Sequence, residues 1–174
     1  VRRLQTTDWA AVAGTNLPPA VVSADLTLKA TRDGRDLQAT LQTTLDEISL
    51  AVGDRQVRDV QLRLQTDATL TEFKDLLVRS LEVDLRGSGR ELLRLKASAA
   101  HQSDRGESRA EFEGQAELPA LLATFPVEGL RVSSGTLRVS GKADAKPGAT
   151  NLTTDLVLGR VSGALGQTAL QDQT

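Results

Sequence analysis

The chain contains no cysteine and no methionine among its 174 residues, and only 2% of them are aromatic. Without cysteine there can be no disulfide, no thiolate zinc ligand and no thiol nucleophile. The only rings are those of Trp9, Phe73, Phe112 and Phe125. A core of this size normally relies on aromatic side chains, so this one must be mainly aliphatic.

Long apolar runs and an excess of one charge are also missing. No stretch reaches the ~18–20 apolar residues that a membrane-spanning helix needs, and the first residues do not follow a signal-peptide pattern. Because the chain starts at Val1 and has no methionine, we expect it to be a segment of a longer protein. The net charge is only -2, and charged residues of both signs are scattered along the chain. This distribution argues against a nucleic-acid partner.

Strict alternation of apolar and polar residues dominates the sequence. It runs from Val22 to Ala30 and, most clearly, from Val60 to Leu70, as expected for strands with one buried face. It predicts an all-β domain over residues 21–163, a long antiparallel meander forming a twisted, curved sheet or groove. The parity of the alternation changes near Asp46 and Glu47, which predicts a bulge or short turn there.

Turn and helix signals divide the chain further. Glycine-containing turns are predicted where strands end, at Asp33-Gly34, Gly87-Ser88-Gly89, Ser134-Gly135 and Lys146-Pro147-Gly148. A short helix is predicted near 119–125, because Pro119 suits a helix start and Pro126 a stop. Residues 1–20 form a poorly defined lead-in that could include a helical turn at 8–13, and residues 164–174 are expected to fray.

The apolar face of such a sheet has to be covered, and one or two short helices are too few to cover it. The sheet therefore either closes into a barrel or sandwich, or stays open as a groove whose lining meets an apolar ligand. The predicted lining consists of apolar residues that share one strand parity: Leu26, Leu28, Leu41, Leu62, Leu64, Val83, Leu85, Leu93, Leu95, Phe112, Leu137, Val139, Leu156 and Leu158.

Residues that could carry chemistry are sparse. His101 is the only histidine and has no second histidine or cysteine as a metal-binding partner. Glu111, Glu113 and Glu117 alternate on one strand face without the acidic loop of a calcium site. Ser133-Ser134-Gly135 lacks the spacing of a nucleophile elbow or a phosphate loop. The sequence therefore predicts a protein that is not an enzyme, with no catalytic residues, metal site or cofactor.

One segment resembles a known family. The helix Leu118-Pro119-Ala120-Leu121-Leu122, the stretch from Leu130 to Gly141 with its Ser134-Gly135-Thr136-Leu137 core, and the plain alternating strands before them are similar to the AsmA-like superfamily of bacterial envelope proteins, which includes TamB. The resemblance covers roughly residues 20–160. It implies a β-trough with an apolar interior in a parent protein anchored in the inner membrane, located in the periplasm and associated with phospholipid transport and outer-membrane biogenesis.

The resulting hypothesis is a non-catalytic periplasmic segment whose apolar groove binds or conducts lipid or acyl chains between membranes, with other envelope proteins as further candidate partners. The alternative is a closed β-sandwich that acts as a structural spacer or a protein-interaction module of the cell envelope. In the alternative, the whole apolar stripe is core.

Overall fold

The computed structural model describes residues 3–6, 18–52, 55–166 and 168–170. Ten strands and one helix occupy nearly all of these residues. In chain order they are β1 (Leu4–Gln5), β2 (Val21–Thr31), β3 (Asp36–Val52), β4 (Arg55–Thr71), β5 (Asp75–Gly87), β6 (Arg90–Gln102), β7 (Glu107–Glu117), α1 (Leu118–Thr124), β8 (Leu130–Lys146), β9 (Ala149–Leu165) and β10 (Thr168–Leu170).

All ten strands form a single antiparallel sheet in sequence order, from β1 to β10. Each strand pairs with the one before and the one after it, as in an extended meander. Among the described residues the first and last strands do not pair, so the sheet is open. The predicted all-β meander is confirmed, and the closed barrel or sandwich is not the form that the chain adopts.

Bulges keep the apolar residues in phase along the strands. The pairing of β3 with β4 skips Asp46 and Glu47 between the pairs Leu45–Leu62 and Ile48–Val60, which confirms the predicted irregularity. A second register shift, at Arg79 of β5, lies between the pairs Asp67–Ser80 and Ala68–Val78. Where the apolar alternation shifts by one residue, a regular strand would point the later apolar side chains to the other face. The extra residue of a bulge returns them to the original face.

Most predicted turns are present, with one exception. Gly87 pairs with Arg90, and the two residues between them, Ser88 and Gly89, both have positive φ, as in a type I′ hairpin. The predicted turn at Ser134-Gly135 is wrong, because β8 continues through it from Leu130 to Lys146 with register shifts beside Ser134. Gly135 has φ 137°, so the glycine accommodates an irregularity inside a strand instead of a reversal of the chain.

Both ends of the chain contain more strand than expected. The prediction of a frayed tail from residue 164 is wrong at its start, because β9 continues to Leu165 and β10 pairs back onto it. Gly166 has φ 60° and its N–H donates to the carbonyl of Gly129, which fixes the reversal between these strands. In the lead-in, Leu4 and Gln5 pair with β2. The predicted helical turn at 8–13 and residues 171–174 lie outside the described residues.

The helix α1 lies in the connection between β7 and β8, close to its predicted position. Pro119 stands in its first turn, where a missing N–H is harmless, and Phe125 ends it. The helix contacts β6, β7 and β8. It therefore lies at one end of the sheet, the end opposite to the turns at 32–35, 72–74, 103–106 and 147–148.

Candidate functional site

The most extensive chemical feature of the sheet is one face made almost entirely of aliphatic side chains. The strand register places all of the predicted lining residues on this face, hereafter the apolar face. They meet in rows of directly opposed residues that cross the sheet. One such row is Leu45, Leu62, Leu85, Leu93, Ala116, Leu137 and Leu158.

The apolar face is large for a surface of which the described chain covers only one end. From β2 to β9 it extends across seven strand spacings of ~4.8 Å, about 34 Å, and residues 22–30 of β2 span about 27 Å at ~3.4 Å per residue. The projected area is therefore about 900 Å², above the few hundred Å² of apolar patch that a soluble monomer usually exposes. Patches of that size usually mark a binding surface.

One end of the apolar face is closed, and we call it the capped end. Ala20, Ile48, Val57 and Val60 form a buried cluster there, and the ring of Phe125 packs against it. Val60 is only 1% exposed. The connection that carries α1 thus supplies the covering layer that the rest of the face lacks.

Gly87 allows α1 to approach the capped end closely. A Cβ atom at this position would lie 2.9 Å from Leu92 Cδ1 and 3.0 Å from Thr124 Oγ1. Leu92, 1% exposed, is the extra residue of a bulge between the pairs Leu85–Leu93 and Arg86–Glu91. The bulge and the glycine together let this leucine and the helix share one small space.

The side chains in the middle of the apolar face are half-buried and lie close to the backbone. Phe112 is its one aromatic residue and stands directly opposite Gly141, whose ideal Cβ position lies 2.5 Å from the ring atom Cζ. Gly114, two residues further along β7, faces Leu95 and Val139 in the same way. Glycines at these two points let the neighbouring side chains lie flat over the backbone.

The lateral margins of the apolar face are open. Large aliphatic side chains on both margins are more than half exposed, although they continue the rows of the half-buried centre. They are Leu26 and Leu28 on β2 and Leu152, Leu156 and Leu158 on β9.

The opposite face is polar, and several of its charged residues form ion pairs with each other. Arg94 bridges Asp84 at 2.9 Å and Glu91 at 2.5 Å, and Lys142 pairs with Glu111 at 3.2 Å. The hydrogen bond to Asp84, followed by the charge of Glu91, raises the pKa of Arg94 above its ordinary value. A depression of about 460 Å³ crosses β5–β9 on this side. Within its lining, Lys96 pairs with Glu82 and Lys142 with Glu111, whereas Glu113 and Asp155 have no ion-pair partner among the described residues.

The residues weighed for chemistry remain apart from one another. His101 is exposed, and its Nδ1 lies 2.8 Å from Ser108 Oγ on the neighbouring strand. Glu111 and Glu113 are exposed on the polar face, and Glu111 pairs with Lys142 and Arg109. In the part of the chain that the structure describes, no three His, Cys, Asp or Glu residues cluster in a way that could hold a metal ion.

The structure adds residues to the apolar face that the sequence prediction left out. Leu76 and Val78 face it from β5, paired with His101 and Ala99, but the bulge at Arg79 interrupts the alternation that would reveal them. Leu92 is out of phase with Leu93 and Leu95 because it is itself the extra residue of the bulge in β6. Others, such as Leu45 and Leu152, share the parity of the predicted residues on the same strands, so that parity was an available signal.

Comparison with known proteins identifies no relative. No family model matches the chain, and neither a curated protein nor a solved structure is similar to it. Among the described residues, no helix has the length and apolar character to cross a membrane.

Proposed function

We propose that this chain is a non-catalytic periplasmic segment of an AsmA-like bacterial envelope protein, and that its apolar face binds the acyl chains of phospholipid or a similar lipid and guides them between membranes. The observation that carries the proposal is the continuous aliphatic face, about 900 Å² in projection, that is covered at one end only.

The shape and chemistry of the face fit an acyl chain. The acyl chains of one leaflet occupy half of the ~30 Å hydrocarbon core of a bilayer, about 15 Å. The face is longer than this along the strands, so a chain can lie on it at full length. Its lining is mainly leucine, valine and alanine, with a single ring and a few threonines and glycines, and no charged side chain interrupts the central rows.

The assignment to the envelope is supported by the sequence resemblance described above. That resemblance combines a leucine-rich helix with a strand carrying Ser134-Gly135-Thr136-Leu137. In the fold, these two features lie next to each other at the capped end, where Leu118 Cδ1 is 3.4 Å from the ideal Cβ position of Gly135.

Two adjacent residues of β9 allow a matched test of lipid binding. Leu156 is 62% exposed on the apolar face, and Val157 is 57% exposed on the polar face. The purified protein is incubated with vesicles of bacterial phospholipid, separated from them and examined by native mass spectrometry. We expect bound phospholipid in the wild type and in Val157→Asp, and at least a severalfold loss in Leu156→Asp, because a carboxylate there has no partner once an acyl chain excludes water.

Because both side chains are largely exposed, neither substitution should prevent folding, and circular dichroism checks this directly. The measurements are made at low protein concentration so that association between copies does not contribute. A wild-type protein that folds and emerges free of lipid contradicts the proposal. So does equal lipid binding by the two variants, because binding would then not use the apolar face.

A further inference from the structure

Among the described residues, His101 is the one ionisable side chain on the apolar face between the Leu45–Leu158 row and the turns at the other end of the sheet. Strand pairing arranges this part of the face in parallel rows that cross from β2 to β9. All rows but the outermost contain only aliphatic residues, threonine, glycine and Phe112. The outermost row contains His101, directly opposite Leu76 of β5 and Ser108 of β7. The capacity to carry a charge is thus confined to one end of the face.

His101 and Ser108 form a pair of hydrogen-bonding side chains at this end. His101 is exposed, Ser108 is half-buried, and Nδ1 of the ring lies 2.8 Å from Ser108 Oγ. The other ring nitrogen, Nε2, has no partner among the described residues. In a protonated imidazole both ring nitrogens donate, so Nδ1 donates to Ser108 while Nε2–H and the serine hydroxyl proton remain for an acceptor. The oxygens of a phosphate accept such charge-assisted hydrogen bonds well.

The fixed charges around the pair balance each other. In the adjoining turns and strand positions they are Lys74, Asp75, Asp104, Arg105, Glu107, Arg109, Asp144 and Lys146. Equal numbers are cationic and anionic, and ion pairs join Lys74 to Asp104, Arg109 to Asp144 and Lys146 to Glu107. Carboxylates ordinarily titrate near about pH 4 and lysine above about pH 10, whereas an imidazole ordinarily takes up its proton between about pH 8 and pH 5. Lowering the pH across that range therefore adds one positive charge to this end of the face.

The length of the face and its closed end favour one orientation of a bound lipid. α1 and Phe125 cover the capped end, and Leu62 and Leu85 pack against the buried cluster there. From Leu93 to His101, β6 spans about 27 Å. The acyl and headgroup layers of one leaflet together measure about 20–22 Å. A lipid whose acyl chain ends at the capped end therefore brings its headgroup within about two residues of His101.

We infer that His101 and Ser108 form the headgroup site of a lipid that lies along the strands, with its acyl chain toward the capped end and an anionic phosphate at this pair. The inference rests on the proposed lipid function and adds the orientation of the lipid and the charge of its headgroup. Protonation of His101 strengthens the contact, so a lipid with an anionic headgroup binds more tightly as the pH falls. An acyl chain lying over the imidazole would give the opposite trend, because burial disfavours the charged form.

Two lipids that differ in headgroup charge test the site. Lysophosphatidylglycerol keeps its anionic phosphodiester at about pH 8 and about pH 5.5, and a monoacylglycerol with the same acyl chain is neutral at both. Binding of each to the wild type is measured by calorimetry below the concentration at which the lipid forms micelles. We expect the affinity for lysophosphatidylglycerol to rise by about three- to tenfold at the lower pH, and that for monoacylglycerol to stay constant. A constant or falling affinity for the charged lipid overturns the inference.

Substitutions at the same end of the sheet locate the effect. His101→Leu should abolish the rise and keep monoacylglycerol binding, and His101→Lys should bind the charged lipid tightly at both pH values. Arg105→Leu is the matched control, because it removes a fixed positive charge from the neighbouring turn and should keep the rise. Both positions are exposed, and circular dichroism checks that each variant folds. A rise that persists in His101→Leu, or disappears in Arg105→Leu, overturns the role of His101.

The source of the phosphate and the orientation are tested separately. Glycerophosphoglycerol, the same headgroup without an acyl chain, should bind far more weakly than the lysolipid. Equal affinity would make the pair a site for a free phosphate ester and would overturn the inference. A nitroxide at the end of the acyl chain should broaden the backbone NMR signals of residues 121–125 more than those of residues 101–106, and the reverse pattern overturns the orientation.

Failure of this inference differs from failure of the proposed function. If neither lipid binds at either pH, the proposed function is wrong and the headgroup site with it. If both lipids bind to the wild type with the same affinity at both pH values, the apolar face binds lipid and only the headgroup site is wrong.

Discussion

The capped end and the lateral margins of the apolar face are made of the same kind of residue in opposite surroundings. Leu92 at the capped end is 1% exposed, whereas Leu28 on the margin is 63% exposed. Both lie on strands of the same sheet, so the sheet itself does not account for the difference. What buries Leu92 is the connection between β7 and β8, which folds back with α1 and Phe125. Alternation thus produces an apolar face, and a second layer of structure determines which part of that face is buried.

The largest expected effect comes from making the same substitution in both regions. Leu92→Ala leaves a cavity under α1 and should lower the free energy of unfolding by about 2–5 kcal/mol. Leu28→Ala removes a side chain that is mostly in water already, and the change should stay within about 0.5 kcal/mol. Urea unfolding followed by circular dichroism measures both. Similar values for the two variants would mean that the capped end is not the stabilising core.

A smaller effect is expected from filling the space at Gly87. Gly87→Ala pushes a methyl group against Leu92 and Thr124 and should destabilise the protein by about 1–3 kcal/mol. In a Thr124→Ala background part of that strain disappears, so the same glycine substitution should cost measurably less. Additive effects of the two substitutions would show that the helix does not lie against this glycine in solution.

The smallest effect is expected at the end of the sheet opposite to the capped end, where the turns at 72–74 and 103–106 lie side by side. Lys74 Nζ is 3.1 Å from Asp104 Oδ2, and this hydrogen bond, with the attraction of the carboxylate, raises the pKa of Lys74. Because the folded-state pKa is raised, any stabilisation is complete below the ordinary lysine value and is lost as the pH rises through the raised one. Both groups are exposed, so solvent screens the pair strongly.

A thermal-unfolding cycle of Lys74→Ala, Asp104→Asn and the double variant measures this pair. We expect a coupling at the limit of detection that disappears in high salt and at strongly alkaline pH. A coupling comparable to the effect of Leu92→Ala would reverse the ranking of the two ends.

Much of the apolar face could be predicted from the sequence because its period is simple. Residues such as Leu62, Leu64, Val83 and Leu85 alternate without interruption, and pairing between neighbouring strands brings them together. Prediction fails where the period breaks. The bulge at Arg79 hides Leu76 and Val78, and Ser134-Gly135 has the composition of a turn although β8 continues through it. A bulge depends on the pairing of two strands, which the composition of one strand does not record.

The sequence by itself determined an aliphatic, all-β meander, because side-chain alternation is a local property and the chain lacks the cysteines and most of the rings that would support other cores. Only the tertiary structure decided that the sheet stays open, that α1 covers one end and not the whole face, and that the margins keep their leucines exposed. These outcomes depend on whether distant strands meet and on where a connection folds back. Such long-range contacts are set by the twist and register accumulated over the whole sheet.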